Sequence, residues 1–245
     1  MRRVLASPVE QFKIETLVPL EIGGVNIAFT NSALFMLVVV VLASFFLTLS
    51  VQSRALVPGR WQSMAELSYE FVANMIRDNV GAEGRKYFPF IFSLFAFLLL
   101  GNLIGMIPYA FTFTSHIIVT FGLAIVIFIA VTIIGFVRHG AGYLRMFFPR
   151  GAPWPTAFIL IPIELISYCS RPFSLSIRLF ANMTVGHIIL KVMGGFVVAL
   201  GLLGGIFPMA FLGGVTVLEF GIAVLQAYVF TVLTCIYLND AIHMH

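Results

Sequence analysis

The chain has 245 residues, of which 60% are hydrophobic and only 10% are charged, so its composition excludes an ordinary soluble domain and predicts a polytopic membrane protein. The formal net charge of +4 does not indicate nucleic-acid binding, because the basic residues form no cluster on a polar surface. Cys169 and Cys235 lie in apolar segments, where we expect small buried side chains rather than a disulfide or a metal site.

The first two thirds of the chain predict three membrane spans and one surface helix. Residues 1–30 are mixed and polar, and they predict a tail outside the membrane. Apolar runs over residues 31–51, 88–108 and 116–137 have the length that one spanning helix needs. Residues 61–80 alternate charged and apolar side chains at helical spacing, which is typical of an amphipathic helix on a membrane surface or against a partner.

Two apolar segments near the C-terminus, residues 156–200 and 208–243, are too long for perpendicular spans. About 40 residues of helix extend about 60 Å, whereas the hydrocarbon core is about 30 Å thick. We therefore expect a long hairpin that is strongly tilted, or broken into horizontal and spanning parts. Pro162 and Pro172 are candidate kinks. Glycines mark the turn between the two segments: Gly194, Gly195, Gly201, Gly204 and Gly205.

The basic loops predict the orientation of the chain. Positive charges concentrate between the first two spans and between the third span and the hairpin, so both loops should be cytoplasmic. The other connections carry no charge and should lie outside. The fold class is therefore all-α integral membrane, a single membrane domain over residues 1–245 with five transmembrane helices and one amphipathic surface helix. Its N-terminus would lie outside. The loop residues are Arg54, Arg60, Arg77, Arg85, Lys86, Arg138, Arg145 and Arg150.

Arg178 lies within the apolar sequence of the first hairpin helix. An arginine at bilayer depth costs at least about 2.5–3.5 kcal/mol, and it stays ionised. We therefore expect it to face protein or water as a functional residue. The alternative is a side chain that snorkels to the headgroups. At about 100° per residue, Ser174 and Asn182 lie about 40° on either side of Arg178. Glu164 and Arg171 fall close to the same stripe.

His187 lies about 180° from Arg178, on the opposite face of that helix. In the last helix, Glu219 and Gln226 are seven residues apart and share a face, and Asp240 lies within about 60° of Glu219. A fixed cation, a titratable imidazole and a carboxylate in adjoining helices are parts of a proton path. The reason is that His and Glu can exchange protons near neutral pH, whereas Arg cannot.

Each of these polar residues also has a structural interpretation. Glu219 would be satisfied by neighbouring hydroxyl groups, and His187 would be a neutral, packed imidazole. Asn182 and Gln226 would be hydrogen-bond links between helices. On that interpretation the polar side chains stabilise the bundle and carry no ion.

Near the membrane surfaces the simpler interpretations are ion pairing and solvation. Glu164 would pair with Arg171 on the cytoplasmic side, and Lys191 would snorkel to the outer interface. Asp240 would belong to a solvated C-terminus.

Two motifs resemble subunit a of the F-type ATP synthases. Residues 178–183 read RLFANM, and residues 225–230 read LQAYVF. The resemblance covers essentially the whole chain. It implies a stator that carries protons through two offset aqueous half-channels to and from a ring of c-subunits, and so couples proton flow to rotation and ATP synthesis. The implied partners are the c-ring, b-type subunits of a peripheral stalk, the remainder of the complex and the lipid bilayer.

The resemblance also implies roles for individual residues. Arg178 matches the family's essential arginine, and Asn182 and Gln226 match its polar neighbours. Glu164 matches a carboxylate associated with the cytoplasmic half-channel. Ala181 replaces a frequent glycine of the arginine motif, which implies slightly less close helix approach.

His187 and Glu219 stand where many bacterial members of that family have the same two residue types exchanged. The exchange keeps the chemistry and suggests that the two side chains face each other. We therefore expect the pair to line the outer half-channel and to titrate as a coupled unit.

Catalysis of ATP formation is not expected in this chain, because it has no phosphate-binding Gly-Lys-Ser/Thr loop. No cofactor is expected. The implied location is a bacterial inner membrane, with a mitochondrial inner membrane as the alternative. Two other classes of function stay open, a secondary transporter or simple channel and a structural membrane scaffold. A transporter often contains inverted repeats, and none is visible between the two halves of the chain.

Overall fold

The computed structural model confirms the all-α fold class, with short strand pairs at its N-terminal end. Five helices in the described part of the chain are long and apolar enough to cross a membrane. The described residues are 13–19, 21–22, 25–26, 28–52, 59–107, 110–147 and 157–243. The loop residues Arg54 and Arg150 lie outside them. The helices are α1 (Asn31–Gln52), α2 (Arg60–Val80), α3 (Phe88–Gly105), α4 (Ile117–His139), α5 (Ala157–Gly204) and α6 (Ile206–Ile242).

The N-terminal tail contains short strands that the sequence did not predict. Strand β1 (Thr16–Val18) pairs antiparallel with β4 (Phe29–Thr30), and β2 (Glu21–Ile22) pairs antiparallel with β3 (Val25–Asn26). The second pair is nested inside the first, directly before α1. Paired strands therefore directly precede the first membrane helix.

The second span ends earlier than predicted. Helix α3 stops at Gly105 rather than at residue 108, because the following link folds back onto it. In this link the Thr112 hydroxyl donates a hydrogen bond to the Gly105 carbonyl oxygen at 3.0 Å, which satisfies a helix-terminal acceptor. Short 3-10 segments join the helices at Ala82–Tyr87, Phe113–Ser115 and Gly140–Phe147.

The turn between α5 and α6 is shorter than the glycine-rich stretch that the sequence suggested. Gly194 and Gly195 lie inside α5, and the chain turns only after Gly201. Gly201 has a φ of +68°, a left-handed conformation that favours glycine. At Gly205 an added Cβ would lie 2.6 Å from the carbonyl oxygen of Gly201, so a larger residue requires the turn to shift.

The two prolines of α5 do not break the helix. Non-helical backbone angles inside α5 occur only at Gly201, so the helix continues through Pro162 and Pro172. A bend of the helix at either proline stays a prediction. The apolar part of α5 runs for 44 residues. A helix of that length extends about 65 Å, about twice the hydrocarbon thickness. This length supports the expected strong tilt.

Helix α6 lies at the centre of the bundle, where α2, α3, α4 and α5 all pack against it, and α4 also packs against α5. Leu175, Leu179 and Met183 follow one another at helical spacing on the buried stripe of α5. They share one buried cluster with Ala227 and Phe230 of α6. Helix α1 packs mainly on α3 and α2. Because this apolar cluster occupies one face of α5 and one face of α6, most polar residues of α5 lie on its other faces.

Helix α2 is amphipathic, as predicted, and it is not among the helices apolar enough to span a membrane. Its apolar side reaches α3 and α6, where the Phe71 ring lies 5.5 Å from the Phe95 ring and 5.6 Å from the Tyr228 ring, centroid to centroid. Glu66 and Glu70 are exposed. The surface helix therefore rests directly on the C-terminal hairpin. Its buried residues are Val72, Met75, Ile76 and Val80.

The two cysteines differ in burial. Cys235 is buried in the core, as predicted, whereas Cys169 is exposed, so the prediction for it was wrong. The reason is helical phase, because α5 buries Tyr168 and Pro172. Cys169 lies about 100° around the helix from Tyr168 and falls outside the buried stripe.

Candidate functional site

Arg178 lies near the middle of α5, on the face that points away from the bundle. Ser174 and Asn182 are exposed on the same stripe, as helical phase predicts. The opposite stripe carries the buried Leu175 and Leu179. The sequence therefore forces the cation outward, because the apolar neighbours occupy the inner side of the helix.

No carboxylate in the described part of the chain neutralises Arg178. The ion pairs there join Arg138 to Glu83 and Arg171 to Asp240. The positive charge of Arg178 is thus presented to whatever lies against this face of α5.

Asn182 links the arginine stripe to the last helix. Its Nδ2 atom donates a hydrogen bond to Gln226 Oε1 at 2.7 Å. Gln226 is only 1% exposed, and its Nε2 atom is buried without a hydrogen-bond partner among the described residues. The predicted link between helices is therefore confirmed. It joins the two sequence motifs, and it leaves one buried amide donor unsatisfied.

His187 points into the bundle, as its phase opposite Arg178 predicts. It is 9% exposed, and its Nε2 atom lies 3.1 Å from Thr112 Oγ1 in the link between α3 and α4. Thr184, on the same helix, donates a hydrogen bond to the Ser115 carbonyl oxygen. The link is therefore fastened to α5 on both sides of Gly186. Lys191, expected to snorkel, is half-buried one turn further along.

Glu219 lies against α5 at Gly186, the residue before His187. It is 4% exposed, and an added Cβ at Gly186 would lie 1.9 Å from its Oε1 atom. Glycine at this position is what lets the carboxylate approach the α5 backbone. Both carboxylate oxygens lack a hydrogen-bond partner among the described residues. Glu219 therefore lies against the residue that precedes His187, and the coupled titration of the two side chains stays a prediction.

Asn102 extends this polar region into α3. Its side chain is fully buried, and its Nδ2 atom donates to the Ala223 carbonyl oxygen at 3.1 Å, one helical turn after Glu219. Its Oδ1 atom has no hydrogen-bond partner among the described residues. We call Asn102, Thr112, His187 and Glu219 the His187 cluster. Buried polar atoms without partners are costly, and they are typical of functional sites rather than of packed cores.

A second polar group lies towards the other end of α5. Arg171 pairs with Asp240 of α6 at 2.9 Å, and its guanidinium lies over the rings of Tyr168 and Tyr237 at 5.4 and 4.9 Å. The expected pairing of Arg171 with Glu164 is therefore not found, and Glu164 is exposed. Asp240 is not simply part of a solvated C-terminus. Its position on α6 brings it opposite Arg171 across the hairpin.

A chain of hydroxyl groups positions Tyr168 beneath Arg171. Thr132 donates to the Phe128 carbonyl oxygen at 2.6 Å, so it must accept from the Tyr168 hydroxyl, also at 2.6 Å. Tyr168 then accepts from the Tyr143 hydroxyl at 3.0 Å. Burial, followed by this hydrogen bond, raises the pKa of Tyr143, which keeps it a donor. We call Tyr143, Tyr168, Arg171, Tyr237 and Asp240 the Arg171 cluster.

The two clusters lie on opposite sides of Arg178 along the hairpin. Along α5, Arg171 lies about 10 Å from Arg178 in one direction, and His187 lies about 13 Å away in the other. Between them Leu179 and Met183 of α5 and Phe230 of α6 are each at most 1% exposed. The buried Thr231 and Thr234 hydroxyls of this interval donate to carbonyl oxygens of their own helix. The described residues contain no group of three His, Cys, Asp or Glu side chains that could hold a metal ion. The chemistry that the site offers is proton exchange and charge stabilisation.

Several residues of the two clusters escaped the sequence prediction. Short polar side chains in apolar sequence are individually uninformative, and their partners come from distant helices. The hydroxyl-rich run over residues 112–115 is the one local signal, since three hydroxyl side chains fall within an uncharged link. The residues are Asn102, Thr112, Tyr143, Tyr168 and Tyr237. Gly186, which lies against Glu219, was not predicted either.

Comparison with known proteins gives one consistent result. A family model described as ATP synthase A chain matches residues 33–239. The ATP synthase subunit a of Paramagnetospirillum magneticum is 70% identical over 98% of this chain and 100% of the relative. That of Rhodospirillum rubrum is 68% identical over 98% and 99%, and that of Mesorhizobium japonicum is 57% identical over 96% of both chains.

Proposed function

The chain belongs to the ATP synthase A chain family, and we propose that it conducts protons in the membrane sector of an ATP synthase. In this role it carries protons through two offset half-channels to and from a ring of c-subunits, and so couples proton flow to rotation and ATP synthesis. The observation that carries the proposal is Arg178, a permanent cation exposed midway along an apolar helix.

Arg178 needs a partner outside the chain. Left in lipid it would cost at least about 2.5–3.5 kcal/mol. A rotor carboxylate that passes the exposed face of α5 meets this need. Such a carboxylate crosses lipid only when protonated, because its ionised form is too costly there. Beside Arg178 the opposite charge favours the ionised form, so the proton is released. Ser174 and Asn182 flank Arg178 on this face, and Gln226 holds Asn182 in place.

The two polar clusters are suited to be the two half-channels. We assign the His187 cluster to the outer half-channel, and the Arg171 cluster with the exposed Glu164 to the cytoplasmic one. The apolar side chains of Leu179, Met183 and Phe230 lie between the clusters, so we expect a proton to pass from one to the other by way of the rotor. The fixed charge of Arg178 opposes direct leakage between them. The membrane potential contributes about 2.3 kcal/mol per elementary charge for each 100 mV.

The remaining partners follow from the exposed surfaces. Helix α1 packs mainly on α2 and α3 and exposes Leu37, Val41 and Phe45. We assign b-type subunits of a peripheral stalk to this side, because the arginine face of α5 is needed for the rotor. The chain itself carries no ATP chemistry in this proposal. Its bacterial relatives support a multi-pass protein of a bacterial inner membrane.

The test is substitution of Arg178 in the assembled complex. We expect Arg178→Ala to abolish ion-driven ATP synthesis in membrane vesicles. Arg178→Lys should be severely impaired, because lysine loses its proton more readily in a dry site and lacks the planar fork. The control is Cys169→Ala, an exposed position on the same helix, which should leave the rate unchanged. Near-normal synthesis by an assembled Arg178→Ala complex would refute the proposal.

Two other outcomes would favour the rival classes. Proton conduction by the purified chain alone in lipid vesicles would indicate a self-contained channel or transporter. A complex that tolerates every substitution of Arg178 would indicate a scaffold. We expect neither, because the outward cation and the two separated clusters make half of an interface rather than a continuous pore.

A further inference from the structure

We propose that Thr112 holds His187 with a proton on Nε2, so that Nδ1 is the atom through which His187 exchanges protons. The inference rests on the proposed function for its consequence, because it specifies which atom of His187 acts in the outer half-channel. The position of the proton on Nε2 is inferred from the hydrogen bonds alone and does not depend on the proposed function.

The surroundings of Thr112 fix which atom donates in each of its two hydrogen bonds. A threonine hydroxyl has a single hydrogen, and Thr112 Oγ1 lies 3.0 Å from the Gly105 carbonyl oxygen and 3.1 Å from His187 Nε2. A carbonyl oxygen can only accept. Gly105 is the last residue of α3, where carbonyl groups lack a partner within the helix. The hydroxyl hydrogen therefore belongs to the Gly105 carbonyl, and His187 Nε2 must be the donor in the second bond.

Thr112 is held in place by several buried contacts. Its side chain is 4% exposed, and the Ser115 hydroxyl donates to the Thr112 carbonyl oxygen at 2.6 Å. An added Cβ at Gly105 would lie 2.7 Å from Thr112 Cγ2, so the link packs directly on the α3 backbone. Thr184 fastens the same link to α5. The acceptor that faces Nε2 is thus held from three sides and cannot turn away without breaking buried hydrogen bonds.

The hydrogen bond to Thr112 determines which ring nitrogen of His187 can exchange a proton. In a neutral imidazole one ring nitrogen carries the proton and the other accepts. With Nε2 as the donor to Thr112, the second proton of the imidazolium must arrive and leave at Nδ1. Charged or titratable groups near this ring are Lys191, one turn along α5, and Glu219, which lies against Gly186. His116 lies in the same link as Thr112, stacked on Phe111. Thr112 is therefore a positioning residue, because it acts through His187 and does not itself carry the proton.

The test uses the intact ATP synthase complex with ¹⁵N-labelled histidine and solid-state NMR. The His187 signals are those that disappear in the His187→Gln complex. We expect the wild-type complex at high pH to carry the proton on Nε2. Thr112→Val should change that assignment, shift the pH profile of ATP-driven proton pumping and lower its rate several-fold. Thr112→Ser, which keeps the hydroxyl, should restore the wild-type tautomer and most of the rate.

The matched control is Thr114→Val. Thr114 is buried in the same link, and its Oγ1 atom has no hydrogen-bond partner among the described residues. It should leave the His187 signals unchanged. A proton on Nδ1 in the wild type, or an unchanged tautomer in Thr112→Val, would overturn the inference. The wild-type spectrum alone decides this if Thr112→Val fails to assemble. A changed tautomer with an unchanged pumping profile would instead remove His187 from the proton path and overturn that part of the proposed function.

Discussion

Gly186 allows a direct test of how Glu219 is placed. A methyl group at this position would lie 1.9 Å from Glu219 Oε1, 2.7 Å from Cδ and 2.9 Å from Cγ. Ordinary contacts begin at 3.4 Å. Because Cγ is involved as well as the carboxylate, rotation about the last side-chain bond does not relieve the clash. Gly186→Ala must therefore push the whole Glu219 side chain away from α5.

Two opposing terms determine the effect on stability. Overpacking of a buried site costs about 1–3 kcal/mol. Replacement of a helical glycine by alanine gains up to about 1 kcal/mol. Gly186→Ala should therefore destabilise the chain by about 0–3 kcal/mol and leave it able to assemble. Proton transfer needs partners within about 2.6–3.2 Å. Each 1.36 kcal/mol in the barrier is about tenfold in rate, so we expect pumping to fall about tenfold or more.

The assay is ATP-driven proton pumping in inverted vesicles, normalised to the amount of assembled complex. Gly194→Ala is the matched control on the same helix, because an added Cβ there meets nothing within 4 Å. It should pump normally. Combining Gly186→Ala with Glu219→Asp, which shortens the acid by one methylene, should recover part of the lost rate. If Gly186→Ala pumps as well as Gly194→Ala, the carboxylate does not act from the position described here.

Three further predictions concern other contacts. Asn182→Leu removes the donor to Gln226 Oε1 and should lower the stability of the assembled complex by about 1–3 kcal/mol, measured by thermal unfolding; an unchanged unfolding temperature would mean that the hydrogen bond is not formed in the membrane. Cysteines placed along α2 should react with a helical period from the cytoplasmic side only, and labelling of position Ala82 from outside would contradict the five-span topology. Exchanging His187→Glu with Glu219→His should retain more pumping than either single change, because each single change leaves two like groups together. A double variant no better than the worse single would separate the two residues.

Helical phase and hydropathy were sufficient for much of this protein. They predicted the long apolar helices and the amphipathic α2, because burial follows the spacing of apolar residues. Phase also placed Arg178 and His187 on opposite faces of one helix, and Glu219 and Gln226 on a shared face of α6. These are local properties of single helices, and no knowledge of the packing is needed to derive them. The structure adds that Arg178 points outward and that the other three are buried.

Contacts between helices could not be predicted from the sequence. Arg171 has carboxylates at suitable phase on its own helix and on α6, and phase alone does not say that Asp240 rather than Glu164 is the partner. Thr112 lies in a short link whose path depends on where α3 ends. The importance of Gly186 depends on its contact with Glu219, which lies on a different helix. In each case the information lies in how two segments far apart in the chain approach each other.

Several buried polar atoms of the described residues lack hydrogen-bond partners, and their cost can be compared with the stability of a folded domain. In the described residues, Asn102 Oδ1, both oxygens of Glu219 and Gln226 Nε2 are buried without hydrogen-bond partners. Each such atom costs about 1–3 kcal/mol if it stays dry, and the four together would cost about 4–12 kcal/mol. That sum is comparable to the whole stability of a typical domain, about 5–15 kcal/mol. A purely structural bundle would replace them with apolar groups at no loss. These atoms lie on α6 and on the part of α3 that packs against it, so we expect water to reach them.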